Sequence, residues 1–390
     1  MPRSLRYDAG HARPGPTGAG VVVRRTRPRC HTVFMPTEDL PLFRAHPALR
    51  ECVARQPFID GPTPVEPLRL PGGEAADLYV KRDERSCSLY GGNKPRKLEF
   101  IIGSALERGS RRLVTTGGLG SHHGFATTVL GRSVGLATTL VLVPQPITPE
   151  VERSLALDAA YGAEIVRASG VPAAALATLR VLAASQWRGE KPHLVWTGGS
   201  SSVGNLGFVS AAFELAEQIE QGMLPEPAEI LVPLGSGGTI AGLVVGLKLA
   251  GLDSRVRGVL VSDILPPSPA ALARSARATL NRMRRLAPGI PALELRASDF
   301  RVDTSELGPG YGVATPSGTA AQAWARELGL ELDATYSAKC FAALIARAEN
   351  EALPHGPVLF WNTYAGAFRP DFESPTIRSD GMTDVIPNGM

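Results

Sequence analysis

Ile230-Leu231-Val232-Pro233-Leu234-Gly235-Ser236-Gly237-Gly238-Thr239 passes from a short apolar run with strand character, through glycines and hydroxyls, into an apolar helix that opens at Gly238. Consecutive backbone N–H groups and the hydroxyls of Ser236 and Thr239 can wrap a phosphate there, and the positive end of the helix dipole favours a dianion. The segment lacks the Lys-[Ser/Thr] ending of a nucleotide P-loop and the full spacing of a dinucleotide fingerprint. A plain tight turn is the other reading it allows. The same order recurs on both sides of it. Strand-like runs at Leu113 to Thr116, Thr138 to Val143, Glu164 to Val166, Leu194 to Thr197, Val256 to Val261 and Val358 to Trp361 alternate with stretches of helical period. One helix covers Arg96 to about Arg108, with Leu98, Ile101, Ile102 and Ala105 on one face. A second follows Thr148-Pro149, an N-cap and a first-turn proline, and a third begins near Asn205. Strand then helix, repeated, predicts an α/β fold with parallel sheets covered on both faces.

The 390 residues, 44% hydrophobic and 20% charged, can bury a sizeable core and are enough for two lobes. No apolar run reaches the roughly 18 to 20 residues that span a bilayer, and the N-terminus lacks the basic-then-apolar order of a secretory signal. The default location is cytoplasmic, with no membrane partner. Cys30, Cys52, Cys87 and Cys340 are scattered without C-x-x-C spacing, which fits free thiols rather than a disulfide framework or a zinc site. A formal charge of +4 without a basic stripe argues against nucleic acid as a partner. Residues 1–55 stand apart: Pro and Gly are frequent, Arg24, Arg25, Arg27 and Arg29 cluster, and no acid lies between Asp8 and Glu38. That stretch is predicted to be a disordered or loosely docked extension. An organelle transit peptide has a similar bias, and Met35 offers an alternative start.

Three further segments carry chemistry. Gly91-Gly92-Asn93-Lys94-Pro95-Arg96-Lys97-Leu98-Glu99 sits just before a predicted helix, where glycines let the backbone approach a planar ligand and Lys94 can point into a cleft. An amine whose pKa is depressed there can form an imine with an aldehyde. A solvated lysine at a helix start fits the same residues. Thr115-Thr116-Gly117-Gly118-Leu119-Gly120-Ser121-His122-His123 is again a strand running through glycines into a helix, which suits a carboxylate or phosphate at Ser121. Adjacent histidines point about 100° apart on a helix, so a shared metal is poorly served and none is expected. Tyr311, Tyr336, Ser337 and Thr363 each stand near a segment boundary, where the active-site residues of parallel sheets gather; amphipathic packing is the other reading of the tyrosines.

Taken in order, Lys81-Arg82-Asp83, the Gly91 to Glu99 motif, the Ser121 turn, Gly198-Gly199-Ser200, the Gly235 loop and the late tyrosines resemble the tryptophan-synthase-like (fold type II) pyridoxal-phosphate (PLP) enzymes. Within these, the chain is similar to the 1-aminocyclopropane-1-carboxylate (ACC) deaminase and D-cysteine desulfhydrase family, over about residues 57 to 367. The resemblance implies two doubly wound open-sheet lobes with PLP in the cleft between them: a large lobe of residues 56–96 and 201–390, and a small α/β lobe of 97–200. By the same resemblance Lys94 is the Schiff-base lysine, Lys97 a phosphate-side cation and Gly235, Ser236, Gly237, Gly238 and Thr239 the phosphate cup. Asn93 and His122 lie beside the cofactor, Ser121 with His122 and His123 takes the substrate carboxylate and moves protons, and Tyr311 and Tyr336 line the substrate pocket.

The two branches differ at Ser337 and Thr363. The deaminase branch carries a glutamate and a leucine there, whereas small hydroxyl residues mark the desulfhydrase branch. A neutral hydroxyl near the pyridine nitrogen leaves a shallower electron sink, suited to expelling a β substituent. The resemblance therefore implies a lyase acting on a small amino acid, with D-cysteine giving pyruvate, sulfide and ammonia, and a homodimer. ACC deamination or β-replacement is the alternative, and a PLP-binding scaffold without turnover is the alternative of another class. The chain departs from the pattern in three places. His122 stands where the family has asparagine, and Thr363-Tyr364-Ala365-Gly366 replaces Thr-Gly-Gly, so that Tyr364 either crowds the pocket or turns away. The segment from Arg82 to Tyr90 is about one residue shorter than in the deaminases.

Overall fold

The computed structural model describes residues 40–70 and 77–365. The strands are β1 (Val65–Pro67), β2 (Leu78–Arg82), β3 (Arg112–Gly118), β4 (Ala137–Val143), β5 (Glu164–Arg167), β6 (His193–Val195), β7 (Glu229–Leu234), β8 (Arg255–Leu260), β9 (Arg301–Asp303) and β10 (Val358–Asn362). The α-helices are α1 (Pro41–Ala45), α2 (Ala48–Cys52), α3 (Lys94–Glu107), α4 (His122–Ser133), α5 (Pro149–Ala160), α6 (Val171–Trp187), α7 (Leu206–Glu220), α8 (Gly238–Leu249), α9 (Pro269–Leu286), α10 (Pro316–Glu327) and α11 (Ser337–Glu349).

They build two sheets. Six strands run in the order β1-β2-β10-β7-β8-β9, parallel except for the antiparallel β1–β2 pair at one edge. Four parallel strands, β5-β4-β3-β6, make the second, which lies wholly within residues 112–195. Both are covered on two faces. Along β10, Leu359 and Trp361 enter the core formed with α7, α8 and α9, whereas Val358 and Phe360 enter the core formed with α10 and α11. A strand buried on both sides gains from an apolar residue at every position, which is why β7 and β10 read as continuous hydrophobic runs. In the smaller sheet Leu113 and Val195 pack with α3 and α4, and Val141 packs with α6.

Three strands escaped the sequence reading. The β2 strand hides its pattern behind Lys81 and Arg82, both buried and ion-paired. The other two, β1 and β9, are short edge strands, one holding a proline and the other charged at both ends. The run expected to end at Thr197 stops at Val195, because Thr197 to Gly199 closes a turn with Gly198 at φ 65.

One expectation is corrected. Leu40 to Arg55, assigned above to a disordered or loosely docked extension, includes α1 and α2. Leu42 and Leu49 are fully buried, with α1 against α7 and α2 against α9. Pro41 starts the first of these helices, and its few apolar residues were masked by the Pro, Gly and Arg bias of the whole segment. Residues 1–39 of that extension lie outside the described residues. Cys52, Cys87 and Cys340 are free thiols; Cys30 is outside the described residues. No described helix is long and apolar enough to cross a membrane.

Candidate active site

The carboxyl ends of β3 and β7 and the loops that follow them open onto one cavity of about 600 Å³. Parallel strands place their following loops and helix N-termini on the same edge, which makes such an edge a ready ligand site.

Lys94 is the first residue of α3, with Pro95 in the first turn behind it. Its ammonium donates to Asn93 Oδ1 at 2.8 Å and lies 5.9 Å from the centre of the Tyr336 ring. Burial lowers its pKa from 10.5 to about 8, against the opposing field of Asp333. Asn93 reaches the other way as well, its amide donating to Thr239 Oγ1 at 3.3 Å, so one side chain ties the lysine to the Gly235 loop. In that loop Gly237 has φ 85, and a Cβ there would strike Leu272, so both the turn and the packing require glycine. The Gly238 N–H donates to Ser200 Oγ at 3.0 Å, and Ser200 and Ser236 hydroxyls are 2.7 Å apart. Lys97, one turn into α3, donates to the Gly198 carbonyl at 3.1 Å; burial and then the charge of Lys94 push its pKa well below the usual lysine value.

On the opposite wall Ser121 is the N-cap of α4 and accepts from the Gly124 N–H. His122 follows it into the cavity, its Nδ1 3.3 Å from the Tyr90 hydroxyl, with burial lowering its pKa. Tyr364 does not turn away: it lines the cavity edge-on to His122, ring centres 5.7 Å apart. The Tyr336 hydroxyl donates to that of Tyr311 at 3.1 Å, and burial raises both pKa values, so both phenols stay protonated at neutral pH.

The structure thus brings Asn93, Lys94, Lys97, Ser121, His122, His123, Gly235, Ser236, Gly237, Thr239, Tyr311, Tyr336 and Thr363 to one cavity. Two of the expected residues are not on its wall. Gly238 is the first residue of α8, and its N–H donates to Ser200. Ser337 is fully buried, and its hydroxyl donates to Asp333 Oδ1 at 2.5 Å. Among the described lining residues the carboxylate is Asp333, held by the N–H groups of Thr335, Tyr336 and Ser337. Sequence reasoning missed Asp333. The available signal was an acidic residue just ahead of an apolar helical pattern, a capping position whose carboxylate collects free N–H groups.

Behind the site, Arg96 spans two acids, bonding Asp83 through Nε and Nη2 and Glu214 through Nη1 and Nη2, while Lys81 also donates to Glu214. Burial alone would raise the Glu214 carboxyl; Arg96 and Lys81 instead hold it well below the usual range. Two cations and two carboxylates balance there, which anchors the start of α3 and hence Lys94.

Comparison with known proteins agrees with this geometry. Residues 58–363 match the family described as pyridoxal-phosphate dependent enzyme. D-cysteine desulfhydrase of Salmonella typhimurium is 33% identical over 321 residues, covering 79% of this chain and 93% of the relative, and that of Salmonella newport has the same identity and coverage. Among solved structures, an ACC deaminase homologue matches at TM-score 0.68 and 28% identity over 82% of this chain and 94% of the other. Threonine deaminase isoform 2 of Solanum lycopersicum, at TM-score 0.53 and 16% identity over 85% and 91%, shares the fold. The chain belongs to the pyridoxal-phosphate-dependent enzymes of fold type II.

Proposed function

We propose that the chain is a lyase that removes the β substituent and the amino group of a small amino acid, with D-cysteine and water yielding sulfide, pyruvate and ammonia. The observation that carries this reading is Lys94: a half-buried amine, brought to about 8 by desolvation, in the same cavity as a glycine loop at a helix N-terminus. The relatives named D-cysteine desulfhydrase support the substrate.

The residues fit the cofactor. Gly235 to Thr239 offers backbone donors, hydroxyls and the positive end of α8 to a phosphate, and a dianion there would restore the charge that burial takes from Lys97. When bound, pyridoxal phosphate supplies an aldehyde for amines and a ring that draws electrons from the α-carbon of an attached amino acid. The chain's own part is to bind and to move protons. Lys94 would hold the cofactor through its aldehyde, and as a free amine it would be the base for the substrate's Cα proton. Ser121 and the start of α4 receive the substrate carboxylate. The Tyr311–Tyr336 pair, protonated at neutral pH, can give a proton to a departing sulfur and take it back from water.

A second reading, ring-opening deamination, draws support from the match to the ACC deaminase homologue and from Asp333, a carboxylate on the cavity wall whose negative charge would favour a protonated cofactor ring. The deciding assay supplies PLP to the full chain and follows sulfide, pyruvate and ammonia from D-cysteine, L-cysteine and 1-aminocyclopropane-1-carboxylate. Sulfide and pyruvate from D-cysteine, lost in Lys94→Ala, is the expected result. Retained cofactor without product from any of the three would leave a PLP-binding scaffold instead. A cytoplasmic homodimer goes with this reading, and light scattering on the purified chain checks the dimer.

A further inference from the structure

We propose that the preferred substrates carry a sizeable uncharged, apolar group on the β-carbon, such as an S-alkyl substituent, held by an apolar jaw at the mouth of the Lys94 cavity. This deepens the elimination reading and rests on it. Away from the lysines and glycine loops, the cavity wall is built by Val171, Leu179 and Leu182 of α6, by Trp196 after β6, and by Ile264 and Leu265 after β8. Leu179 is 64% exposed, Trp196 62% and Leu265 77%. One exposed leucine needs no explanation, but large apolar side chains from three separate segments around a single opening do.

Two further observations sharpen this. Leu265 is held at φ 53, a left-handed backbone that costs a leucine about 1 kcal/mol or more and that gathers at ligand clamps. Helix α6 carries Arg180 as its one charged side chain in 17 residues, and the jaw itself carries none. None of the cavity's charged side chains, Lys94, Lys97 and Asp333, belongs to the jaw segments, so the group taken by the jaw is uncharged. Because the wall is continuous with the cavity of Lys94, Ser121 and Tyr311, its occupant is part of the molecule bound at Lys94. Cysteine offers such a wall little beyond its sulfur, whereas an alkyl group on that sulfur reaches it.

The reaction balances without an oxidant. An S-substituted cysteine and water give the thiol, pyruvate and ammonium. The Cα proton leaves to Lys94, the Cβ–S bond breaks with its electron pair on sulfur, and sulfur takes up a proton.

Titration of the PLP-loaded full chain with D-alanine, D-2-aminobutyrate, D-norvaline and D-norleucine tests the jaw without a leaving group, reading affinity from the visible absorbance of the cofactor. Each methylene is expected to tighten binding about three- to fivefold. Leu265→Gly and Leu179→Gln should flatten that slope. Glycine suits the backbone at 265 and both positions are exposed, so both variants will fold. In parallel, pyruvate release should show a higher kcat/KM for S-propyl-D-cysteine than for D-cysteine. A flat or inverted affinity series overturns the proposal; if the two variants then also change the sedimentation of the protein, the apolar mouth is instead a contact between copies of the chain. A sloped series with no pyruvate from any cysteine substrate sinks the elimination reading and leaves the jaw standing, and pyruvate with a flat series does the reverse.

Discussion

Raising the pH of the apoprotein from about 7 to about 10 titrates Lys94 where an ordinary lysine stays charged. With a pKa brought from 10.5 to about 8 by burial, roughly half of the Lys94 amines are free at pH 8, against about 0.3% for an unshifted lysine. Covalent capture of added PLP needs the free amine. Its rate should therefore climb with pH to about 8 and level off roughly one unit higher. Stopped-flow absorbance with limiting PLP reads the rate, with Lys94→Ala as the blank. A rate still rising about tenfold per unit between pH 9 and pH 10 would show an ordinary lysine and refute the reasoning. The same shift has a cost in stability. Between about pH 8 and 10.5 the unfolded chain holds a proton that the folded chain does not, so stability rises with pH across that window. Lys94→Met should therefore stabilise the apoprotein at pH 7, by about 1–3 kcal/mol once partial access of water is allowed for.

Glu214→Gln leaves Lys81 and Arg96 buried with one carboxylate between them, and should destabilise the protein by about 3–5 kcal/mol in urea unfolding; no change would mean the network anchors nothing. Tyr336→Phe removes the phenol that donates to Tyr311 and should lower kcat by about 10²- to 10⁴-fold while cofactor absorbance is retained. Equal loss of kcat and of cofactor would make Tyr336 a packing residue. Leu42→Ala should cost about 2–5 kcal/mol in the same unfolding assay if α1 docks as described, and close to nothing if it does not.

The β7–α8 stretch was legible almost to the residue, because strand, glycine turn and helix each leave their own mark on it. Lys94 and the Gly235 loop were legible for the same reason. Lys81 and Arg82 were not, since a charged residue in a strand looks exposed until its buried partner, distant in sequence, is known. Ser337 and Asp333 show a different limit. Four residues apart around a helix start, they bond each other, and the hold of the Asp333 carboxylate on the Thr335, Tyr336 and Ser337 N–H groups shows only in the folded loop. The apolar mouth was hidden by composition: α6 drew no reading from the sequence, and only the packed fold shows that Leu179 is exposed.

The place of β10 in its sheet also bears on how the protein is made. It pairs with β2 on one side and β7 on the other, so the ladder from β1 and β2 joins the rest of the sheet only through it. During synthesis β1 and β2 leave the ribosome early but have no partner across the sheet until Val358–Asn362 emerges. The four-stranded sheet has no such delay, since all its strands come from one continuous stretch, 112–195. Its ladders close within that one stretch and can form while the rest is still being translated. Nascent chains that stop short of residue 358 should thus hold a formed small sheet beside a divided large one with two open edges. The last step of folding is then the insertion of one central strand, and it completes the cavity wall at Thr363 in the same movement.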